Sequence, residues 1–307
     1  MTSDSGRYDV AIVGGGPAGL TAALWLARYL HSVVLIDSGD PRNWQTRGIN
    51  GYLGHPGIKP SQLRGAGRDE CRRHGVVLVD EAIDRTDMRA EDCFEVYTNS
   101  GQCFEASRLL LAIGIKDIWP TIPGLDPCFG ASIHVCPDCD GYEARGQKIL
   151  VIGRGRRAVG MALSLTTWTN QIVVCSHGHE PEMDGELLAK LDALQIPVID
   201  AHIERVHATD CLVDSVEFDN GLLLDCDRIF FSIAQYPADD LGVQLGCKRD
   251  EHGQIVVDSA NHTSVANVFA AGDITPGPQL AVRAASDGAI AAIAIHRSLV
   301  PDERKLD

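Results

Sequence analysis

Tyr8-Asp9-Val10-Ala11-Ile12-Val13-Gly14-Gly15-Gly16-Pro17-Ala18-Gly19, continued through Leu20 to Asp37, decides the fold. Tyr8 to Val13 reads as a short buried strand, and Gly14 to Gly19 is the turn after it. Leu20 to Leu30 then reads as a helix, and Ser32 to Ile36 as the next strand, which ends on Asp37. Strand, glycine turn, helix, strand and terminal acid together make a dinucleotide-binding unit. Gly14 allows the tight turn, Gly16 lets the backbone approach a pyrophosphate, and Gly19 lets helix and strand pack closely. The helix N-terminus adds N–H groups and partial positive charge for phosphates. Asp37 is placed to accept hydrogen bonds from ribose hydroxyls.

The same order recurs. Lys148 to Ile152 reads as a strand, Gly153-Arg154-Gly155-Arg156-Arg157-Ala158 as a turn, Val159 to Trp168 as a helix and Gln171 to Cys175 as a strand. Pro120, Pro123 and Pro127 crowd one stretch, and Pro237 with Asp239-Asp240 marks another; both interrupt regular structure and suit interdomain crossings. The expected fold is therefore α/β, with two Rossmann-like dinucleotide-binding domains, the second inserted into the first. Residues 1–116 and 243–307 form the first, and residues 117–242 form the second.

Composition narrows the function. Of 307 residues, 45% are hydrophobic and 22% charged, as in an ordinary globular protein. The net charge of −15 argues against nucleic acid, which needs clustered Lys and Arg. The opening Met1 to Gly6 is polar, and Ala281 to Ile295 is broken by Arg283 and Asp287, so neither a leader nor a bilayer span is expected. A cytoplasmic location is the expectation.

Ten cysteines are scattered, and Cys136-Pro137-Asp138-Cys139 is the close pair. That spacing can close a small reducible disulfide. The alternative is zinc, for which Cys128, His134, Cys136 and Cys139 would be ligands, but a second close pair is lacking. Cys71, Cys93, Cys103, Cys128, Cys175, Cys211, Cys226 and Cys247 read as buried small apolar residues. A helix beginning at the pair would lower the thiol pKa through its N-terminal field, with Pro137 in its first turn.

Val268-Phe269-Ala270-Ala271-Gly272-Asp273, followed by a helix from about Gln279, resembles the flavoprotein disulfide reductase group, as does the strand Leu110-Leu111-Ala112-Ile113-Gly114. With Ile133-His134-Val135-Cys136-Pro137-Asp138-Cys139-Asp140-Gly141 between the two glycine turns, the chain resembles low-molecular-weight thioredoxin reductase over nearly its whole length. That resemblance implies FAD and a homodimer. It implies Cys139 facing the flavin, Cys136 exchanging with a partner disulfide, and Asp140 shuttling the proton. It also places FAD contacts at Gly14, Gly16, Pro17, Ala18, Gly19, Asp37, Ser38, Arg42, Asn50, Ala112, Gly114, Gly272, Asp273, Leu280 and Ala281. Asp273 could serve as a helix cap instead, and Asp140 as a solvated first-turn acid.

The second turn departs from that family. Where an NADPH enzyme needs arginines for the 2′-phosphate, the chain reads Ser176-His177-Gly178-His179-Glu180-Pro181-Glu182. An NADH enzyme would want a carboxylate where Cys175-Ser176 stand. Arg154, Arg156 and Arg157 would crowd a pyrophosphate, grip phosphates held differently, or simply be solvated. The NADPH site therefore reads as degenerate, and the chain resembles the branch that lacks pyridine nucleotide binding. That branch includes dithiol oxidases, ferredoxin-linked reductases and a diflavin-linked enzyme with a second FAD. Trp119, Tyr142, Trp168 and Tyr236 are candidate stacking partners for a second flavin, or core. Arg64, Arg68, Arg72 and Arg73 read as a basic patch or one solvated helix face. The expected partner is a small dithiol or a thioredoxin-like protein, and no metal is expected.

Overall fold

The computed structural model describes residues 7–305; Met1 to Gly6, on which the leader expectation rests, lie outside them. The chain divides into two compact units. One comprises Met1–Trp44, Pro60–Lys116 and Gln235–Asp307, and the other Gln45–Lys59 and Asp117–Ala234.

In the first unit, five strands run parallel in the order Val77–Val79, Val33–Ile36, Tyr8–Val13, Cys103–Leu111, Val268–Ala270. Val10, Ile12, Leu35 and Leu110 are fully buried, as strands covered on both faces require. Each such side chain contributes roughly 1.5–3 kcal/mol of burial. The first half of Cys103–Leu111 also pairs antiparallel with Cys93–Thr98, which pairs with Ile83–Ala90. The helices Pro17–Arg28 and Ala281–Leu299 meet through small residues, Ala18, Ala22, Ala284 and Ala291, which lets their backbones approach.

In the second unit, the parallel order is Val198–Ile199, Ile172–Cys175, Ile149–Gly153, Arg228–Ser232, Ile133–His134. A separate antiparallel sheet, Ile203–Thr209, Leu212–Phe218 and Leu223–Asp225, contributes Val206, Val216 and Phe218 to the same core. The helix Gly155–Leu165 covers the parallel sheet through Ala158, Val159 and Ala162.

Boundaries differ from the sequence reading in places. The first helix starts at Pro17, not Leu20, because proline is pre-set for the first helical position. The second starts at Gly155, not Val159, so Arg156 and Arg157 are helical rather than part of a loop. The return to the first unit falls at Gln235, whose amide exchanges hydrogen bonds with Gln279 at 2.9 and 3.1 Å. Residues 45–59 belong to the second unit, held by Arg47 N–H donating to Gly130 O at 3.1 Å. Among the described residues, no helix is long and apolar enough to cross a membrane.

Candidate active site

The first glycine turn is shaped by close backbone approach. Gly14 has φ +104°, and a Cβ there would lie 2.2 Å from the carbonyl oxygen of Ala112. A Cβ at Gly19 would lie 1.9 Å from the carbonyl oxygen of Gly14. Neither backbone atom can move aside. At Gly16 the same test meets nothing within 4 Å, so that side of the turn is open. Gly16 caps the helix without any side-chain hydrogen bond, which leaves first-turn N–H groups for an external acceptor. Ala18 lies against Gly272, where a Cβ would stand 3.0 Å from the Ala18 methyl.

Asp37 lies beneath Gly15 and is ion-paired with Arg64 and, at 3.8 Å, with Arg68. Arg68 is buried and also bonds Asp80 at 2.5 Å. The reading of four arginines as one solvated or basic face therefore fails for Arg64 and Arg68, which turn in toward carboxylates; Arg72 and Arg73 are exposed. Arg64 Nε and Arg68 Nη1 are buried with no hydrogen-bond partner among the described residues. Arg42 Nη1 donates to Asp273 Oδ2 at 3.1 Å and to Gln279 Oε1 at 2.8 Å. Gln254 fixes the loop by donating to the Asp273 and Thr275 carbonyls at 2.8 and 3.0 Å. Asp273 is thus an ion-pair member; the helix that follows is capped by Leu280 and runs from Ala281, with no side-chain cap. Ser38 is exposed, and Gly114 has φ +70° and accepts from Ala238 N–H at 3.1 Å.

Open first-turn N–H groups, buried guanidinium N–H groups that make no hydrogen bond and an open face at Gly16 are features an adenine dinucleotide would satisfy. The residues of the first unit therefore fit FAD.

In the second unit Cys136 and Cys139 form a disulfide with Cα atoms 5.3 Å apart. The helix at the pair is a single turn, Pro137–Asp140. It is too short for the helix field expected from sequence. A local contact acts instead: the Cys139 N–H donates to Cys136 Sγ at 3.1 Å. Asp140 is not a solvated acid. Its side chain is 16% exposed, Oδ1 accepts from Asn50 Nδ2 at 3.3 Å, and Oδ2 lies 3.4 Å from His134 Nδ1. Asn50, grouped with the FAD contacts on sequence, is placed in this second unit and also donates to Cys139 O at 3.2 Å. Among the described residues no three His, Cys, Asp or Glu side chains are grouped to hold a metal, and the zinc candidate Cys128 lies in an apolar core.

The other cysteines divide by burial. Cys71, Cys128, Cys175, Cys226 and Cys247 are buried, but Cys93 and Cys211 are half-buried and Cys103 is exposed, unlike the uniform expectation. Burial pushes the Cys71 and Cys175 thiols up to about 11 and Cys226 up to about 12.

The second glycine turn is covered by its own chain. Gly155 N–H donates to Pro181 O at 2.8 Å, and Arg154 Nη1 pairs with Glu182 Oε1 at 2.8 Å. Arg156 and Arg157 are exposed. Where 2′-phosphate ligands would stand, Ser176 is buried and donates to His179 O at 2.7 Å, and the His177 ring stacks on His202 at 4.3 Å. Of the four aromatic candidates, Trp119 packs on Phe129 at 4.1 Å and Trp168 covers Gly141, whereas Tyr142 and Tyr236 are exposed.

Two α/β nucleotide-binding units, one with an open glycine turn and the other carrying a cysteine pair, define a flavoprotein disulfide oxidoreductase. The pyridine nucleotide-disulphide oxidoreductase family matches residues 8–288, so the chain belongs to that family, and within it is thioredoxin reductase-like. It is 31% identical to thioredoxin reductase tcpT of Claviceps purpurea, over 88% of each chain. It is 30% identical to thioredoxin reductase aclD of Aspergillus oryzae, over 97% of this chain and 98% of the relative. Among solved structures, HlmI superposes with TM-score 0.90 at 33% identity, over 97% of this chain and 94% of HlmI. The family implies FAD as cofactor.

Proposed function

We propose that the protein oxidises dithiols with FAD and without a pyridine nucleotide. The observation that carries this reading is the covered second glycine turn. The Gly155 N–H that would face a pyrophosphate is committed to Pro181, Glu182 adds negative charge there, and no arginine replaces His177 or His179. The open cradle at the first glycine turn supports one FAD there, and a second FAD stays part of the reading, to be decided by flavin-to-protein stoichiometry.

The exchange chemistry rests on Cys136, Cys139 and Asp140. A substrate thiolate attacks Cys136 Sγ; the Cys136–Cys139 bond breaks, Cys139 leaves as thiolate, and a substrate–Cys136 disulfide forms. The substrate's second thiol gives its proton to Asp140 and attacks its own first sulfur. Cys136 leaves as thiolate, and the substrate departs as a disulfide. Two electrons then rest on the cysteine pair and one proton on Asp140. The Cys139 N–H stabilises negative charge on Cys136. FAD, when bound, supplies a two-electron acceptor for this pair, with dioxygen as the expected terminal oxidant. Gly14 to Gly19, Arg64, Arg68 and the Arg42–Asp273 pair would hold it.

Anaerobic stopped flow tests the direction. Excess dithiothreitol should bleach the flavin within seconds, and NADPH or NADH should leave it oxidised; rapid bleaching by NADPH would overturn the reading. A second reading, favoured by the names of the relatives, is reduction of a thioredoxin-like protein with NADPH or ferredoxin as donor. Insulin reduction coupled to thioredoxin separates the two. The net charge of −15 disfavours long-range approach of an acidic ferredoxin.

A further inference from the structure

His134 lies on the short strand Ile133–His134, two residues before Cys136, in parallel register with Phe230. Its side chain is 8% exposed and its ring tilts against Phe230 at 5.3 Å. A buried imidazole without a polar partner would be destabilising. Its partner is Asp140, with Nδ1 3.4 Å from Oδ2. The other carboxylate oxygen takes the Asn50 amide, which also ties down the Cys139 carbonyl. One oxygen of the acid that follows the second cysteine thus accepts the Asn50 amide, and the other lies within ion-pair distance of the His134 ring, the two partners coming from separate chain segments.

We propose that His134 is a positioning residue of the thiol–disulfide exchange: it holds the Asp140 carboxylate in place as proton acceptor. This rests on the role given to Asp140 above. Around the ring, the strand Arg228–Ser232 presents Phe230, the 45–59 segment presents neutral Asn50 to the same acid, and the one-turn helix presents Asp140. Among the described residues, Asp140 is the one carboxylate within ion-pair distance of His134. Removing the ring leaves Oδ2 without its His134 contact and the carboxylate held through Asn50 alone.

The test compares wild type, His134→Gln, His134→Phe and Asp140→Asn, each as flavin-loaded holoenzyme, from about pH 5.5 to 9. Two rates are read: anaerobic flavin reduction by dithiothreitol, and iodoacetamide alkylation of the reduced cysteine pair followed by mass spectrometry. His134→Phe should slow flavin reduction about tenfold at neutral pH. His134→Gln, which still offers an N–H, should recover most of the wild-type rate. A wild-type rate in His134→Phe, with flavin content and melting temperature unchanged, would sink the proposal. If His134→Phe fails to load flavin, a rate in His134→Gln as low as in Asp140→Asn overturns it alone. A wild-type rate in Asp140→Asn would instead remove the role of Asp140 on which it stands.

Discussion

The amide of Gly155 donates to the carbonyl oxygen of Pro181 at 2.8 Å. A helix N-terminus that could face a phosphate is thus satisfied by the loop that follows the next strand. The Arg154–Glu182 pair lies beside it, exposed on both sides, and so adds little stability by itself. Opening that pair should not create a nucleotide site. Wild type and Arg154→Ala are both expected to bind NADPH with Kd weaker than about 1 mM by calorimetry. Binding in the micromolar range by either protein would mean the loop is displaced by ligand.

The cysteines should separate in kinetics. Cys139→Ser leaves Cys136 a free thiol with no disulfide for a substrate thiolate to attack, and removes the sulfur expected to pass electrons onward. Cys136→Ser removes the sulfur proposed for attack by substrate. Each is expected to lower dithiol turnover by about a thousandfold or more, and the double variant no further, because the pair acts as a unit. Additive losses would show that each sulfur has an independent route.

The glycines of the first turn should not be interchangeable. At Gly14, alanine meets the Ala112 carbonyl at positive φ; at Gly19 it meets the Gly14 carbonyl. Gly14→Ala and Gly19→Ala are each expected to cost about 2–4 kcal/mol in apo-protein unfolding. Gly16→Ala has space within the protein and should fold near wild-type stability, yet retain less flavin on dilution. Equal apo stabilities for the three would contradict this division of roles.

Much of this was legible in the sequence because local rules suffice there. A buried apolar run, a glycine turn and a second strand specify a βαβ unit whatever surrounds them, and Tyr8 to Asp37 folds that way. The disulfide is one of the two readings a three-residue separation allows, zinc being the other. What escaped reading depends on distant segments. His134 meets Asp140 because strand and turn bring them together, and Asn50 arrives from a segment some 90 residues away in sequence. Arg64 and Arg68 read from sequence as a basic patch or a solvated face because helical spacing cannot show that Asp37 lies under them. Pro181 covering Gly155 had no signal beyond the carboxylates around it.

Thiol labelling should follow burial. With the disulfide intact near pH 8, iodoacetamide is expected to modify Cys103 first and to leave Cys71, Cys175 and Cys226 untouched for hours, since burial both hides them and keeps them protonated. Mild reduction should add Cys136 and Cys139 at rates at least tenfold faster than Cys103. Early labelling of Cys226 would signal opening of the second unit's core.

Acid should weaken the folded state through the histidine stack. Burial, followed by the nearby His202 and His179, holds His177 below the ordinary 6.5. Its Nδ1 already accepts the Ile203 N–H at 3.1 Å, so protonation there would break a bond. With the folded-state value depressed, the unfolded chain binds the proton first as pH falls. Stability is therefore full above about pH 6.5 and declines below it until the folded form also titrates. His31, lowered mainly by burial, adds the same sign. Melting temperature should fall between pH 7 and 5, and His177→Asn, whose side-chain oxygen can accept the Ile203 N–H without titrating, should flatten that slope. An unchanged slope in His177→Asn would assign the acid sensitivity to other groups, His31 first among them.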